Sequence, residues 1–187
     1  MSTPSLYPCL IIVDVQNDYV LPSGALPCPD ALAIIPHIHS AAHSSFFSAG
    51  VYFSADDKDP VVESIIGSLS SRWPPHCISG SFGAQIHAGL CHEDVPGAVI
   101  TTKRNSMSAF GSAGKGEITG LNLHLQQRPP SHAVVCGLAL ECVAFASCIQ
   151  FTARNTAAGT VSWRLLWIAL PSSFLPAWCL MVAGTSG

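Results

Sequence analysis

The sequence predicts an α/β fold, a three-layer sandwich around a mainly parallel sheet. Three observations lead there. Short, almost purely apolar runs recur along the chain, as strands buried on both faces do. Helical segments separate these runs, which is the alternation that builds a parallel sheet. The residues just past the runs include Asp14, Asp56, Lys103 and the turn before Cys142, so the chemistry-bearing side chains gather where open α/β sheets bind ligands.

The elements follow in order. Residues 9–15, Cys-Leu-Ile-Ile-Val-Asp-Val, form the first strand, and the turn-rich Leu21-Pro22-Ser23-Gly24 follows. Ala31 to Ser48 reads as a helix whose His37, His39 and His43, in a polar Ser/Ala context, make no ligand set. Gly50 to Ser54 is a second strand leading to Ala55-Asp56-Asp57-Lys58, and Ala98 to Thr102 is a third, ending at Lys103. Glu117 to Gln127 is amphipathic, with Thr119 as a helix-start residue. Ala133 to Cys136 is a fourth strand, and Val143 to Ala158 a helix stopped by Gly159.

Composition narrows the function classes. The chain has 187 residues, enough for one well-cored domain, and a formal net charge of -3 with no basic run. Nucleic acid and anionic membranes are therefore not expected partners, and a small neutral or anionic substrate is. Eight cysteines without CxxC spacing, behind an N-terminus lacking secretory-signal features, predict reduced thiols, a cytoplasmic location and no thiolate zinc site.

An acid, a lysine and a cysteine are the parts of a nucleophilic site. A thiol with an ordinary pKa near 8.5 is mostly protonated at neutral pH, so it needs a base and a nearby positive charge. Asp14 and Lys103 suit these two tasks, and backbone N–H groups of Ala139 and Cys142, at a strand-to-helix turn, suit the oxyanion.

Three segments, Asp14-Val15-Gln16-Asn17-Asp18-Tyr19, Trp73-Pro74-Pro75-His76-Cys77-Ile78-Ser79-Gly80-Ser81-Phe82-Gly83-Ala84 and Gly137-Leu138-Ala139-Leu140-Glu141-Cys142-Val143, closely resemble nicotinamidases. Ser108-Ala109-Phe110 and Thr119-Gly120-Leu121-Asn122 extend the match over roughly residues 8–160, within the wider isochorismatase-like cysteine hydrolases. The resemblance implies an isochorismatase-like fold and deamidation of nicotinamide to nicotinate and ammonia, in NAD salvage, through a cysteine thioester. It implies Asp14 as base, Lys103 as its charged partner, and Tyr19 and Trp73 flanking the ring. It also implies a divalent metal, zinc, manganese or iron, with Asp56 and His76 matching two ligands. A homo-oligomer is expected on a different ground, the apolar surface of the C-terminal residues 161–187.

Departures from the family pattern mark three places. Asp56-Asp57-Lys58 stands where relatives usually carry Asp-Trp-His or Asp-Phe-His, so an ammonium replaces an imidazole ligand and metal binding is weakened. The turn before Cys142 is one residue shorter than in relatives, and Cys148-Ile149-Gln150-Phe151-Thr152-Ala153 offers a rival register. Cys142 and Cys148 are thus both candidate nucleophiles. Residues 161–187 match none of the family's closing strand and helix, which divides the chain into a hydrolase domain over 1–160 and a divergent apolar tail, with the C-terminal strand and helix altered or missing. All eleven acidic residues lie at or before Glu141. Leu165 to Ala183 is uncharged and long, but Pro171, Ser172, Ser173 and Pro176 interrupt it, so a membrane span is not expected and one added strand is.

Overall fold

The structure, a computed structural model, describes residues 7–69, 73–104, 106, 108–112, 117–128, 130–138, 161–166 and 180–185. The expected helix over 143–158 and the residues Ala139, Cys142 and Cys148 lie outside the described residues.

A six-stranded sheet forms the middle layer. Strands β1 (Pro8–Val13), β2 (Val51–Asp56), β3 (Val99–Lys103) and β6 (His132–Gly137) run parallel, with β1 paired to both β2 and β6 and β3 outside β2. Strands β7 (Val161–Leu166) and β8 (Leu180–Thr185) complete the order β3-β2-β1-β6-β8-β7, β8 antiparallel to both neighbours. The tail therefore supplies two strands where the sequence predicted one. Among the described residues no helix is long and apolar enough to cross a membrane.

Strand alternation sorts the core into two layers. Cys9, Ile11 and Val13 of β1 face Leu121 and Leu125 of helix α4 (Gly120–Gln127), whereas Leu10 and Ile12 face helix α2 (Ala31–Ala42). Helix α2 buries Ala31, Ile34, Ile35, Ile38 and Ala42, the spacing that keeps one stripe on the sheet. It ends six residues earlier than the expected Ser48, and a short 3-10 turn at Ser45–Phe47 follows, with Phe46 N donating to the Ser44 hydroxyl at 3.1 Å. The expected helix from Glu117 is also shorter. Glu117–Ile118 form strand β5, antiparallel to β4 (Gly111–Ser112), and the Thr119 hydroxyl donates to Ala109 O at 2.5 Å instead of capping the helix. A short helix α1 (Asn17–Val20) and helix α3 (Pro60–Leu69) complete the set.

One glycine decides how closely the site strands approach. Gly137 ends β6 at φ +138°, and a Cβ there would lie 2.0 Å from Val13 O, the residue before Asp14. Gly137→Ala is expected to cost about 3 kcal/mol or more through strain and overlap. Urea unfolding checks this, and a loss below about 1 kcal/mol would contradict it.

Candidate active site

The site begins where β1 stops. Asp14 takes φ 57°, leaves the strand and lies almost wholly buried. Burying a carboxylate demands a partner, and Lys103 at the end of β3 provides it: Nζ donates to Asp14 Oδ2 at 2.9 Å. The same ammonium donates to Asp56 Oδ1 at the end of β2. Two carboxylates thus share one lysine that is itself only 2% exposed.

The second Asp56 oxygen is also occupied, because the Tyr19 hydroxyl donates to Oδ2 at 2.6 Å. Gln16 fixes the backbone of the same residue, accepting from Asp56 N at 2.8 Å and donating to Asp56 O at 2.7 Å. It also donates to Ala84 O at 2.7 Å, so it ties β2 to the loop that follows His76. Asp18 holds that loop from the other end, accepting from Cys77 N at 2.7 Å and Ala25 N at 3.0 Å. A Cβ at Gly83 would fall 2.2 Å from the Asp18 carboxylate, which is why glycine stands there.

His76 is brought to the site by this loop. Its Nδ1 lies 2.7 Å from Pro74 O, its Nε2 2.5 Å from Lys58 Nζ, and its ring meets Tyr19 edge-on with centroids 5.4 Å apart. Lys58 also approaches Asp56 Oδ2 at 3.8 Å and Glu63 Oε1 at 3.9 Å. A chain of alternating charges results, Asp14, Lys103, Asp56, Lys58, ending on a histidine. The donor set does not fit a divalent cation, because the Nε2 that would ligate it is engaged by an ammonium. Among the described residues no group of three or more His, Cys, Asp or Glu side chains has metal-binding geometry.

Electrostatics separate the two acids. Burial, together with the charge of Asp56, raises the Asp14 pKa to about 7 against the pull of Lys103 and Lys58. Burial acts upward on Asp56 too, but Lys103, Lys58 and the Tyr19 hydroxyl outweigh it and hold Asp56 below the usual carboxylate range. Burial opposes charging of Lys103, and the two carboxylates overcome it, raising its pKa and keeping it an ammonium. Asp14 Oδ1 is buried without a hydrogen-bond partner among the described residues.

Sequence reasoning placed Asp14, Lys103, Asp56, His76 and Tyr19, and the structure brings these five together. Trp73 is half exposed at the start of the His76 segment. Gln16 and Asp18 were missed as site residues although both lie in the Asp14–Tyr19 segment; a buried polar run directly after a strand end was the available signal. The described buried thiols are poor nucleophiles: burial pushes Cys9 and Cys136 up to about 12 and raises Cys77 as well.

A cavity of about 630 Å³ opens beside Asp56 and Asp57, walled also by Ile100, Thr102, His92 and Glu93. Ile100 and Thr102 point to the face of β3 opposite Thr101 and Lys103, so this cavity lies behind the acid–lysine pair. Its size does not make it the reaction site.

A mainly parallel sheet with a buried acid–lysine pair at its carboxyl edge defines an α/β protein with paired charges where such sheets bind ligands. The model of the isochorismatase domain matches residues 8–158, and the chain belongs to the isochorismatase family. The nicotinamidase/pyrazinamidase of Mycobacterium tuberculosis is 32% identical over 162 residues, covering 84% of this chain and 82% of that one. PnC1 from L. infantum, solved in complex with nicotinate, superposes with a TM-score of 0.68 at 30% identity, covering 82% and 77%. The pyrazinamidase of Pyrococcus horikoshii, solved in complex with zinc, gives 0.62 at 28% identity, covering 76% of each chain.

Proposed function

We propose that this chain is a nicotinamidase-type amidohydrolase that converts nicotinamide to nicotinate and ammonia, within NAD salvage. The observation that carries the reading is Lys103 holding Asp14 by one carboxylate oxygen while the other is left as an acceptor, in a chain similar to nicotinamidases over most of its length.

The chemistry follows from those groups. Asp14 takes the proton of the cysteine thiol, and the thiolate attacks the carboxamide carbon. Backbone N–H groups of Ala139 and Cys142 receive the oxyanion. Asp14 returns the proton to the departing nitrogen, ammonia leaves, and a thioester remains. Water, deprotonated by Asp14, then cleaves the thioester to the carboxylate and the thiol. Lys103 keeps Asp14 oriented and stabilises its ionised form between steps. Tyr19 and Trp73 are assigned to the ring of the substrate, with the Tyr19 hydroxyl committed to Asp56.

Ammonia release from nicotinamide, measured for the wild type and for Cys142→Ala and Cys148→Ala, tests the reading and assigns the nucleophile. One variant is expected to be silent and the other to remain active. Full activity in both would remove the thioester from the account.

The acid limb of the pH profile is set by Asp14. A base must be ionised to act, and its folded pKa is about 7. As pH falls through that value, kcat/KM is expected to drop about tenfold per unit. A profile flat between about pH 5 and pH 8 would count against Asp14 as the base.

A second reading is favoured by the contact between Lys58 and His76. In it the chain is a cysteine hydrolase of another small substrate, or an impaired relative that retains ligand binding. Turnover of other small carboxamides in preference to nicotinamide separates the first form, and ligand binding without turnover the second.

A further inference from the structure

We infer that the Lys58 ammonium is the resident cation of this site and takes the place of a divalent metal, so that the chain needs none. This deepens the proposed function and rests on it for the substrate, though not for the metal.

His76 has one ring nitrogen fixed as a donor and the other as an acceptor. A carbonyl oxygen only accepts, so the 2.7 Å contact with Pro74 O puts the ring proton on Nδ1. In that tautomer Nε2 offers one in-plane lone pair. Lys58 Nζ, 2.5 Å away, takes it. A metal bound to His76 would need the same lone pair, so ammonium and metal exclude one another.

Asp56 leads to the same conclusion. One of its oxygens accepts from Lys103 and the other from Tyr19, with Lys58 3.8 Å from the latter. A dication there would compete with a hydrogen-bonded phenol and stand between two ammonium groups. Glu63, 3.9 Å from Nζ, supplies negative charge on the remaining side. Asp56 and Glu63 thus each already face a lysine ammonium.

Lys58 is also held in place by its backbone. Lys58 N donates to Cys77 O at 3.0 Å and Ser79 N donates to Lys58 O at 2.9 Å, a parallel bridge that fixes this residue beside the His76 loop. Its side chain is 16% exposed, and His76 Nε2 takes one of the three donors of an ammonium, which leaves the others for the lone pair of a ring nitrogen or carbonyl.

The test is manganese binding by the full-length chain, read from the electron paramagnetic resonance signal of free Mn²⁺. Manganese is the probe because the eight cysteines would capture zinc without any site. Wild type is expected to bind no stoichiometric ion, Lys58→His to bind one, and Lys58→His with His76→Ala to lose it. One ion bound by wild type and lost in His76→Ala would overturn the inference, as would failure of folded Lys58→His to bind. This reading is independent of turnover, so it stands or falls separately from nicotinamide hydrolysis. Where nicotinamide is hydrolysed, exhaustive dialysis against a chelator is expected to leave the rate unchanged, and a rate lost to the chelator and restored by metal would also overturn it.

Discussion

Lys103→Met is expected to lower the free energy of unfolding by about 3–5 kcal/mol near neutral pH, the cost of stranding buried charge. Methionine keeps the stem packed, so the loss isolates the ammonium. Lys103 is the common partner of Asp14 and Asp56, and its removal leaves two buried carboxylates facing one another. Asp14, already raised above its unfolded value by burial and by Asp56, then loses the ammonium that opposes the rise. Such a group contributes stability that is present below about pH 4 and lost as pH rises through the folded value, so the variant should recover part of its deficit on acidification. Wild type carries a milder form of this trend from Asp14, opposed by Asp56, whose lowered pKa contributes stability lost on acidification. Urea unfolding at several pH values measures both, and a pH-independent loss below about 1 kcal/mol would contradict the shared ion pair.

Asp14→Asn is expected to cost about 10²–10⁴ in kcat while leaving the fold intact. The amide is close in shape, but it takes no proton from a thiol. Asp56 still pairs with Lys103, so no charge is stranded. The buried carboxylate that burial drives toward its neutral form is gone, and the fall in stability between about pH 4 and pH 7 should shrink with it. Kinetics alone would not distinguish a misfolded variant from a missing base. The combined result does, because only loss of the base pairs a silent enzyme with an unchanged or raised melting temperature.

Much of this arrangement is legible in the sequence, for a physical reason. A charged residue that ends an apolar strand has few places to put its charge, so Asp14, Asp56 and Lys103 announce both the strand ends and each other. Register then does the rest, since Asp56 pairs directly with Lys103 in the parallel ladder. The Lys58 contact is not legible in that way. It depends on an 18-residue excursion through α3 and the His76 loop that no local pattern encodes. Glu117–Ile118 read as the start of a helix because two residues fit either period, and only the pairing with Gly111–Ser112 distinguishes them. Strand β8 was missed because an uncharged run broken by prolines reads as a tail until β6 and β7 are seen to flank it. The shift between Cys142 and Cys148 is one of register, and the sequence leaves both open.

Whether the Asp14–Lys103 pair serves hydrolysis of a pyridine carboxamide is decided by incubating purified chain with nicotinamide and quantifying nicotinate and ammonia together, beside Asp14→Asn as control. Equal amounts of the two products are expected from wild type and almost none from the variant. Folded wild-type protein that forms neither product, or a variant that forms both at the wild-type rate, would refute that role for the pair.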